Sequence, residues 1–218
     1  MSKTNEKTET ALNVVVLAAS GQAGRTILSE LLSRGHKVKA VLRSPEKLPS
    51  SVERIQNDLS DIDKIADTLK GADAVVSAYG PPKEEMFFKD DNYTDELLRV
   101  TQRIIAAVKK SAVPRLIVVG GAGSLWFSEG VTVLDSGHWP DPLHPIARSH
   151  MRTYAALRAS GINWTYLSPP MLIEPGVRTN HYRLRKDDLI FDNAAGKSWV
   201  SFEDYAVALV NELEKPIN

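Results

Sequence analysis

The 218-residue sequence contains no cysteine. That excludes disulfides, thiol catalysis and cysteine-based metal sites, and it leaves no sign of an oxidising compartment. Net charge is absent too, with Lys and Arg together numbering 27 and Asp and Glu also 27. No global field therefore draws the chain to nucleic acid or to an anionic membrane. The opening residues MSKTNEKTET lack the apolar core of a signal peptide, and no window has the apolar length that spans a bilayer. A Gly-x-Ser-x-Gly hydrolase elbow is missing as well. The expectation is a cytoplasmic protein, monomer or homodimer, with a small-molecule substrate and neither a nucleic-acid nor a membrane partner. Residues 1–11 are expected to be a disordered tail and 12–218 a single domain whose C-terminal part forms the substrate cleft.

What is present is an alternation of apolar runs and helical patterns. Asn13–Ala18 is a short β-branched run suited to a strand buried on both faces. From Gln22 to Arg34, Ile27, Leu28, Leu31 and Leu32 recur at helical spacing, and Gly35 supplies the stop. Further strands are predicted at Lys37–Leu42, Arg54–Asn57, Asp73–Ala78, Pro114–Gly120 and Asn163–Ser168. Helices are predicted around Ile62–Leu69, over Asn92–Ser111 and over His144–Ser160. A last helix runs to about Leu213, opened by the capping-box pattern Ser201-Phe202-Glu203-Asp204. Strands alternating with helices imply parallel pairing and right-handed crossovers. The predicted fold is α/β, a Rossmann-type doubly wound, mainly parallel sheet with helices on both faces and ligands at the carboxyl ends of its strands.

The first strand runs into Ala18-Ala19-Ser20-Gly21-Gln22-Ala23-Gly24, a glycine-punctuated turn at a helix start. Such a terminus offers unpaired N–H groups and a partial positive charge to a pyrophosphate. Ala18 stands where the usual pattern has its first glycine, which leaves open whether this is a nucleotide site or a tight structural turn. The second strand ends in Arg43-Ser44, followed by Lys47, with no carboxylate at the strand end. A guanidinium, a hydroxyl and an ammonium suit a ribose 2′-phosphate, so NADP(H) is favoured over NAD(H), the alternative being a solvated basic loop. After the third strand, Asp58 with the backbone N–H of Leu59 either reads an adenine edge or caps the helix beginning near Asp61. Ser77-Ala78-Tyr79-Gly80 ends strand four with small residues, which either let the backbone lie against the nicotinamide ribose or form a plain loop.

With these positions in hand, the chain resembles the atypical short-chain dehydrogenase/reductases, in particular the NADH-flavin reductase-like branch with its NmrA-like and biliverdin-IXβ reductase relatives. The resemblance covers about Asn13 to Leu213. Its specific motifs are Val118-Val119-Gly120-Gly121-Ala122-Gly123-Ser124-Leu125, Trp164-Thr165-Tyr166-Leu167-Ser168-Pro169-Pro170, Pro175-Gly176-Val177-Arg178-Thr179 and Ser201-Phe202-Glu203-Asp204-Tyr205-Ala206. It implies cofactor contacts at Ser20 to Gly24, Arg43, Ser44, Asp58, Ala78 to Gly80, Val119 and Gly120, with the neighbouring Gly121, and it implies that Pro169-Pro170-Met171 lies over the nicotinamide.

Most short-chain dehydrogenases carry a Tyr-x-x-x-Lys pair, whose lysine lowers the tyrosine pKa for proton exchange. Here the matching spacing is Tyr154 and Arg158, and an arginine does not simply replace that lysine. His150 matches a histidine of the flavin/biliverdin reductases and is either a substrate donor or a structural imidazole. The serine those enzymes place after strand five falls on Gly121, and Ser124 is the nearest replacement. The catalytic candidates are thus His150, Ser124 and Tyr154. Trp126, Phe127, Met171 and Tyr182 are candidate pocket walls, with Arg178 available for an anionic group. Pro81–Asp91 reads as a flap or a surface loop anchored by Met86, Phe87 and Phe88. Asp135, His138, Asp141 and His144 are interrupted by prolines, so no metal site is expected. The expected activity is NAD(P)H-dependent reduction of a flavin (FMN or FAD), a quinone or a similar planar acceptor. A non-catalytic NADP(H) sensor is the alternative.

Overall fold

The computed structural model describes residues 11–44, 52–80, 91–192 and 196–216, with the side chains of 91–94 outside that description. Residues 1–10, Lys47, and Met86, Phe87 and Phe88 of the expected flap lie outside the described residues. Six parallel strands form the central sheet: β1 Asn13–Leu17, β2 Lys37–Leu42, β3 Glu53–Gln56, β4 Ala74–Ser77, β5 Leu116–Val119 and β8 Trp164–Leu167. Their spatial order is β3-β2-β1-β4-β5-β8. The chain moves outward from β1 to β3 and then returns to β4 on the other side of β1. The strand order thus reverses between β1 and β4, where such sheets open a crevice at their carboxyl ends.

Alternation along β1 explains why an unbroken apolar run is needed there. Val14 and Val16 face a core completed by α1 (Gln22–Ser33) and α5 (Phe202–Glu214). Val15 and Leu17 face the opposite core, filled by α2 (Ile62–Leu69), α3 (Asp91–Ser111) and α4 (His144–Arg158). A strand covered by helices on both faces has no polar side to spare.

Outside the main sheet, β6 (Trp126–Ser128) pairs antiparallel with β7 (Val131–Thr132), and β9 (Leu172–Glu174) pairs in parallel with β10 (Trp199–Ser201). These strands of two or three residues are too short to carry a readable period. The expected capping box forms only in part. The Ser201 hydroxyl accepts the Asp204 N–H at 3.0 Å. The Asp204 carboxylate instead accepts from Thr179 N–H, the Thr179 hydroxyl and Asn180 N–H at 2.6 to 2.8 Å. The residue at the third helical position therefore anchors an incoming loop and does not close the box.

The turn after β1 is the tightest joint. Ala18 leaves the strand with φ of 57°, a left-handed conformation that a methyl side chain disfavours. A Cβ at position 24 would lie 2.5 Å from the Ala18 carbonyl oxygen, so only glycine lets α1 cross β1 this closely. We expect Gly24→Ala to lower the unfolding free energy by about 2 kcal/mol through overpacking. Ala18→Gly should raise it by about 1 kcal/mol by relieving the left-handed strain. Urea denaturation checks both, and a loss of stability in Ala18→Gly would contradict this reading of the turn.

Candidate functional site

The carboxyl ends of β1, β2, β4, β5 and β8 line one edge of the sheet, and the predicted residues gather there. Beyond Ala18, the helix start is bare. Gly21 occupies the N-cap position with φ of −68°, no side chain caps the helix, and its first turn holds no acidic residue. By contrast, Asp61 caps α2 by accepting from Asp63 and Lys64 N–H, and Ser201 caps α5. The N–H groups of Gln22, Ala23 and Gly24 are those that an α-helix leaves without an internal acceptor. A Cβ at Gly21 would come no closer than 3.6 Å to its nearest neighbour, so the approach is open. Donors at a positive helix end fit a pyrophosphate, and Gln22 is exposed, Ala23 half-buried and Gly24 buried. Half-buried Ser20 stands beside them, and its carbonyl oxygen accepts from Arg25 Nε.

At the adenosine side, Arg43 and Ser44 are exposed just past β2. Arg43 lines an open groove of about 430 Å³ with Gln56, Asn57, Asp58, Lys64, Asp67 and Thr68. Two expectations change here. The Leu59 N–H is already given to the Asn57 side chain at 2.8 Å, so it is not free to read an adenine edge. Asp58 does not cap α2 either; its carboxylate accepts from the Ser60 N–H and hydroxyl, which hold it below the usual carboxylate range. Lys64 was not anticipated. As the third residue of α2, it falls in the first turn, directly behind the Asp61 cap, and that offset was the available signal.

Ala78 continues β4 by donating its N–H to Leu17 O at 3.1 Å. Tyr79 is half-buried against the α2–α4 core, and burial raises its pKa, whereas Gly80 is exposed. Past half-buried Val119, the Gly120 N–H bonds to Leu167 O. The Gly121 N–H donates to the Tyr166 hydroxyl at 3.1 Å, and that hydroxyl lies 2.9 Å from His150 Nδ1 and 3.3 Å from the His150 carbonyl. A Cβ at Gly121 would sit 2.8 Å from the His150 ring, which explains why no serine can stand there.

The Tyr166 hydroxyl has one proton, and donating it over the shorter contact leaves the imidazole proton on Nε2. His150 Nε2 makes no hydrogen bond among the described residues. Burial pushes this imidazole down to about 4, so it is neutral at pH 7. In sequence Tyr166 is one residue of the 164–170 motif. Its role rests on a contact between α4 and β8 that neither segment reveals alone.

The remaining candidates separate. Ser124 ends a short 3-10 turn, Ala122–Ser124, that rests on Ala147 of α4, and its hydroxyl has no partner among the described residues. Tyr154 packs 5.8 Å from Trp164 and 5.4 Å from Tyr166, one helical turn below His150. The Arg158 guanidinium lies 5.9 Å from the centre of the Tyr154 ring, a cation–π contact that differs from the lysine–hydroxyl arrangement of the usual pair. Arg178 is not available to a ligand, because Glu30 of α1 binds it through both carboxylate oxygens at 2.8 and 2.9 Å. Tyr182 is turned to Asn211 of α5 and is no wall of this cleft. Phe127 is stacked on His138 at 4.7 Å and edged by Phe191. Buried Pro169 and half-buried Pro170 and Met171 follow β8, where Ser198 accepts the Met171 and Leu172 N–H groups.

No helix among the described residues is long and apolar enough to cross a membrane. A family model described as NAD(P)H-binding matches residues 18–216. The Bacillus subtilis protein YwnB, named as uncharacterized, is 34% identical over 212 residues, which cover 94% of this chain and 93% of YwnB. A crystal structure from Burkholderia pseudomallei, of a protein provisionally named as exported, matches with a TM-score of 0.84 at 36% identity and covers 94% of this chain and 95% of that one. Another from Streptococcus pneumoniae, provisionally named an NADH-flavin reductase, gives 0.83 at 32% identity and covers 95% of each chain. Together with the bare helix terminus and the glycine turn, these matches support an NAD(P)H-dependent oxidoreductase. The chain belongs to the NAD(P)H-binding family, among the atypical short-chain dehydrogenase/reductases of the NADH-flavin reductase-like kind.

Proposed function

We propose that the protein is an NADPH-preferring reductase of a flavin, quinone or similar small planar acceptor. The observation that carries this reading is His150, neutral and tied to Tyr166 at the carboxyl edge, with no lysine-activated tyrosine beside it among the described residues. Reduction of a simple ketone needs a proton delivered to a developing alkoxide. Here the tyrosine partnered by spacing is packed under an arginine. A flavin or quinone makes a smaller demand, since orientation and exclusion of water supply most of what hydride transfer requires. Bound NADPH would supply that hydride.

The chain's own residues have definite tasks in this proposal. The N–H groups of Gln22, Ala23 and Gly24 hold the pyrophosphate, and Arg43, Ser44 and Lys64 face the 2′-phosphate. The segment Pro169-Pro170-Met171 shields the nicotinamide from water. His150 offers its Nε2 proton as a hydrogen bond to an acceptor heteroatom, Tyr166 fixes the ring, and the Ser124 hydroxyl is a second donor. A cytoplasmic location and a monomer or homodimer complete the proposal.

Arg43→Ala is expected to weaken NADPH binding about tenfold by removing a charge-assisted contact, with NADH binding unchanged. Equal weakening of both in a fluorescence titration would contradict the selectivity. Wild-type protein should oxidise NADPH steadily with FMN, and His150→Ala should slow kcat about tenfold or more, as loss of a site donor does. Binding of oxidised and reduced NADP without turnover across flavins, quinones and aldehydes would favour the sensor. Because the folded imidazole stays neutral down to about 4, kcat should show no inflection near pH 6.5. The unfolded chain takes up that proton first, so folding stability should fall as pH drops from about 6.5 toward 4. Loss of this slope in His150→Gln, measured by denaturation against pH, is the check.

A further inference from the structure

A second cavity is walled by the chain that follows β9. About 310 Å³ in volume, it is lined by Arg183, Arg185, Asp188, Leu189, Ile190 and Phe191. Its wall is fastened to β6: the Trp126 N–H donates to Asp187 O at 2.7 Å, and the Leu189 N–H donates to Trp126 O at 2.9 Å. Phe191 is edged against Phe127 at 5.7 Å, and Arg183 donates to the Phe191 carbonyl at 3.0 Å, which holds that guanidinium in place. Arg185 has no hydrogen bond or ion pair among the described residues, and Asp188, the one carboxylate in the lining, is paired with neither arginine. Trp126 stands beside the cavity with its side chain exposed, at 42%.

The position of this cavity decides what it can serve. Trp126 is five residues beyond Gly121, where a Cβ would meet the His150 ring at 2.8 Å. Five residues reach at most about 17 Å, so Trp126, to which the cavity wall is bonded, lies within that span of Gly121. Arg43, by contrast, follows β2, and β1 and β4 lie between β2 and β5. Three strand spacings amount to about 14 Å. The adenosine end of a cofactor beside Arg43 would thus stand three strands from β5, the strand that leads to β6.

We propose that this cavity is a subsite for an anionic tail, a phosphate monoester carried by a flat acceptor whose ring stacks on Trp126. The proposal rests on the reductase reading and narrows its acceptor to a ring bearing a phosphate. Guanidinium groups on an apolar floor suit such an anion, since the fork matches phosphate oxygens and is weakly hydrated.

FMN and riboflavin differ only in the phosphate monoester, so the full-length protein can be titrated with each by flavin fluorescence. FMN should bind on the order of fivefold or more tightly than riboflavin, as one or two exposed charge pairs provide. Arg185→Ala should remove that difference while leaving riboflavin and NADPH affinities as they were. Equal affinity for the two flavins, or equal weakening of both in the variant, overturns the subsite. If both are reduced by NADPH with equal KM, the subsite falls and the reductase reading stands. FMN preference lost in Arg185→Ala, without any NADPH oxidation, keeps the subsite and removes the reductase reading.

Discussion

Everything at the carboxyl edge depends on how closely α1 crosses β1. A missing Cβ at Gly24 lets the helix start almost against the Ala18 carbonyl, and Ala18 adopts a left-handed backbone to make that turn. The first N–H groups of a twelve-residue helix then stand at the switch point of the sheet with no side chain to satisfy them. A pyrophosphate there would complete those donors and meet the positive end of the helix. The alanine at position 18 is a tolerated strain in that joint. Its neighbour Gly21, open and unstrained, is where a ligand can approach.

A second constraint acts at the other end of the cleft. Tyr166 reaches from β8 to the Gly121 N–H and to His150 on α4, so one hydroxyl ties strand, glycine turn and helix together. Gly120 and Gly121 are needed because the Tyr166 and His150 rings lie where their side chains would be. The same geometry removes the serine found after strand five in the flavin and biliverdin reductases that this chain resembles, and it leaves a neutral imidazole held by the Tyr166 hydroxyl beside the Gly121 turn. Chemistry that needs only orientation and a hydrogen bond suits such an edge better than chemistry that needs an acid.

The doubly wound sheet was legible in the sequence because strands such as β1 and β2 are buried on both faces and helices carry their own signals, Gly35 ending α1 and Ser201 opening α5. Predicted and observed ends differ by only one or two residues, as at Ala18 and Ala78, where the chain turns. The phosphate turn and Arg43 were legible for a related reason, since both are local in sequence. What escaped was long-range. Arg178 looked free until Glu30, 148 positions away, was seen to hold it. Leu59 N–H looked available until the Asn57 side chain was placed on it. Tyr166 and Lys64 acquired meaning only once β8 met α4 and α2 met the end of β3.

The claim that the α1 terminus is the phosphate site is tested most directly at Gly21. That position accepts a side chain in both space and backbone conformation, and aspartate is a favoured helix cap. Gly21→Asp should therefore keep or raise thermal stability while a carboxylate occupies and repels the pyrophosphate position. The account predicts that NADPH titration shows cofactor binding lost in this stable variant. Unchanged NADPH affinity in a folded Gly21→Asp protein would contradict it.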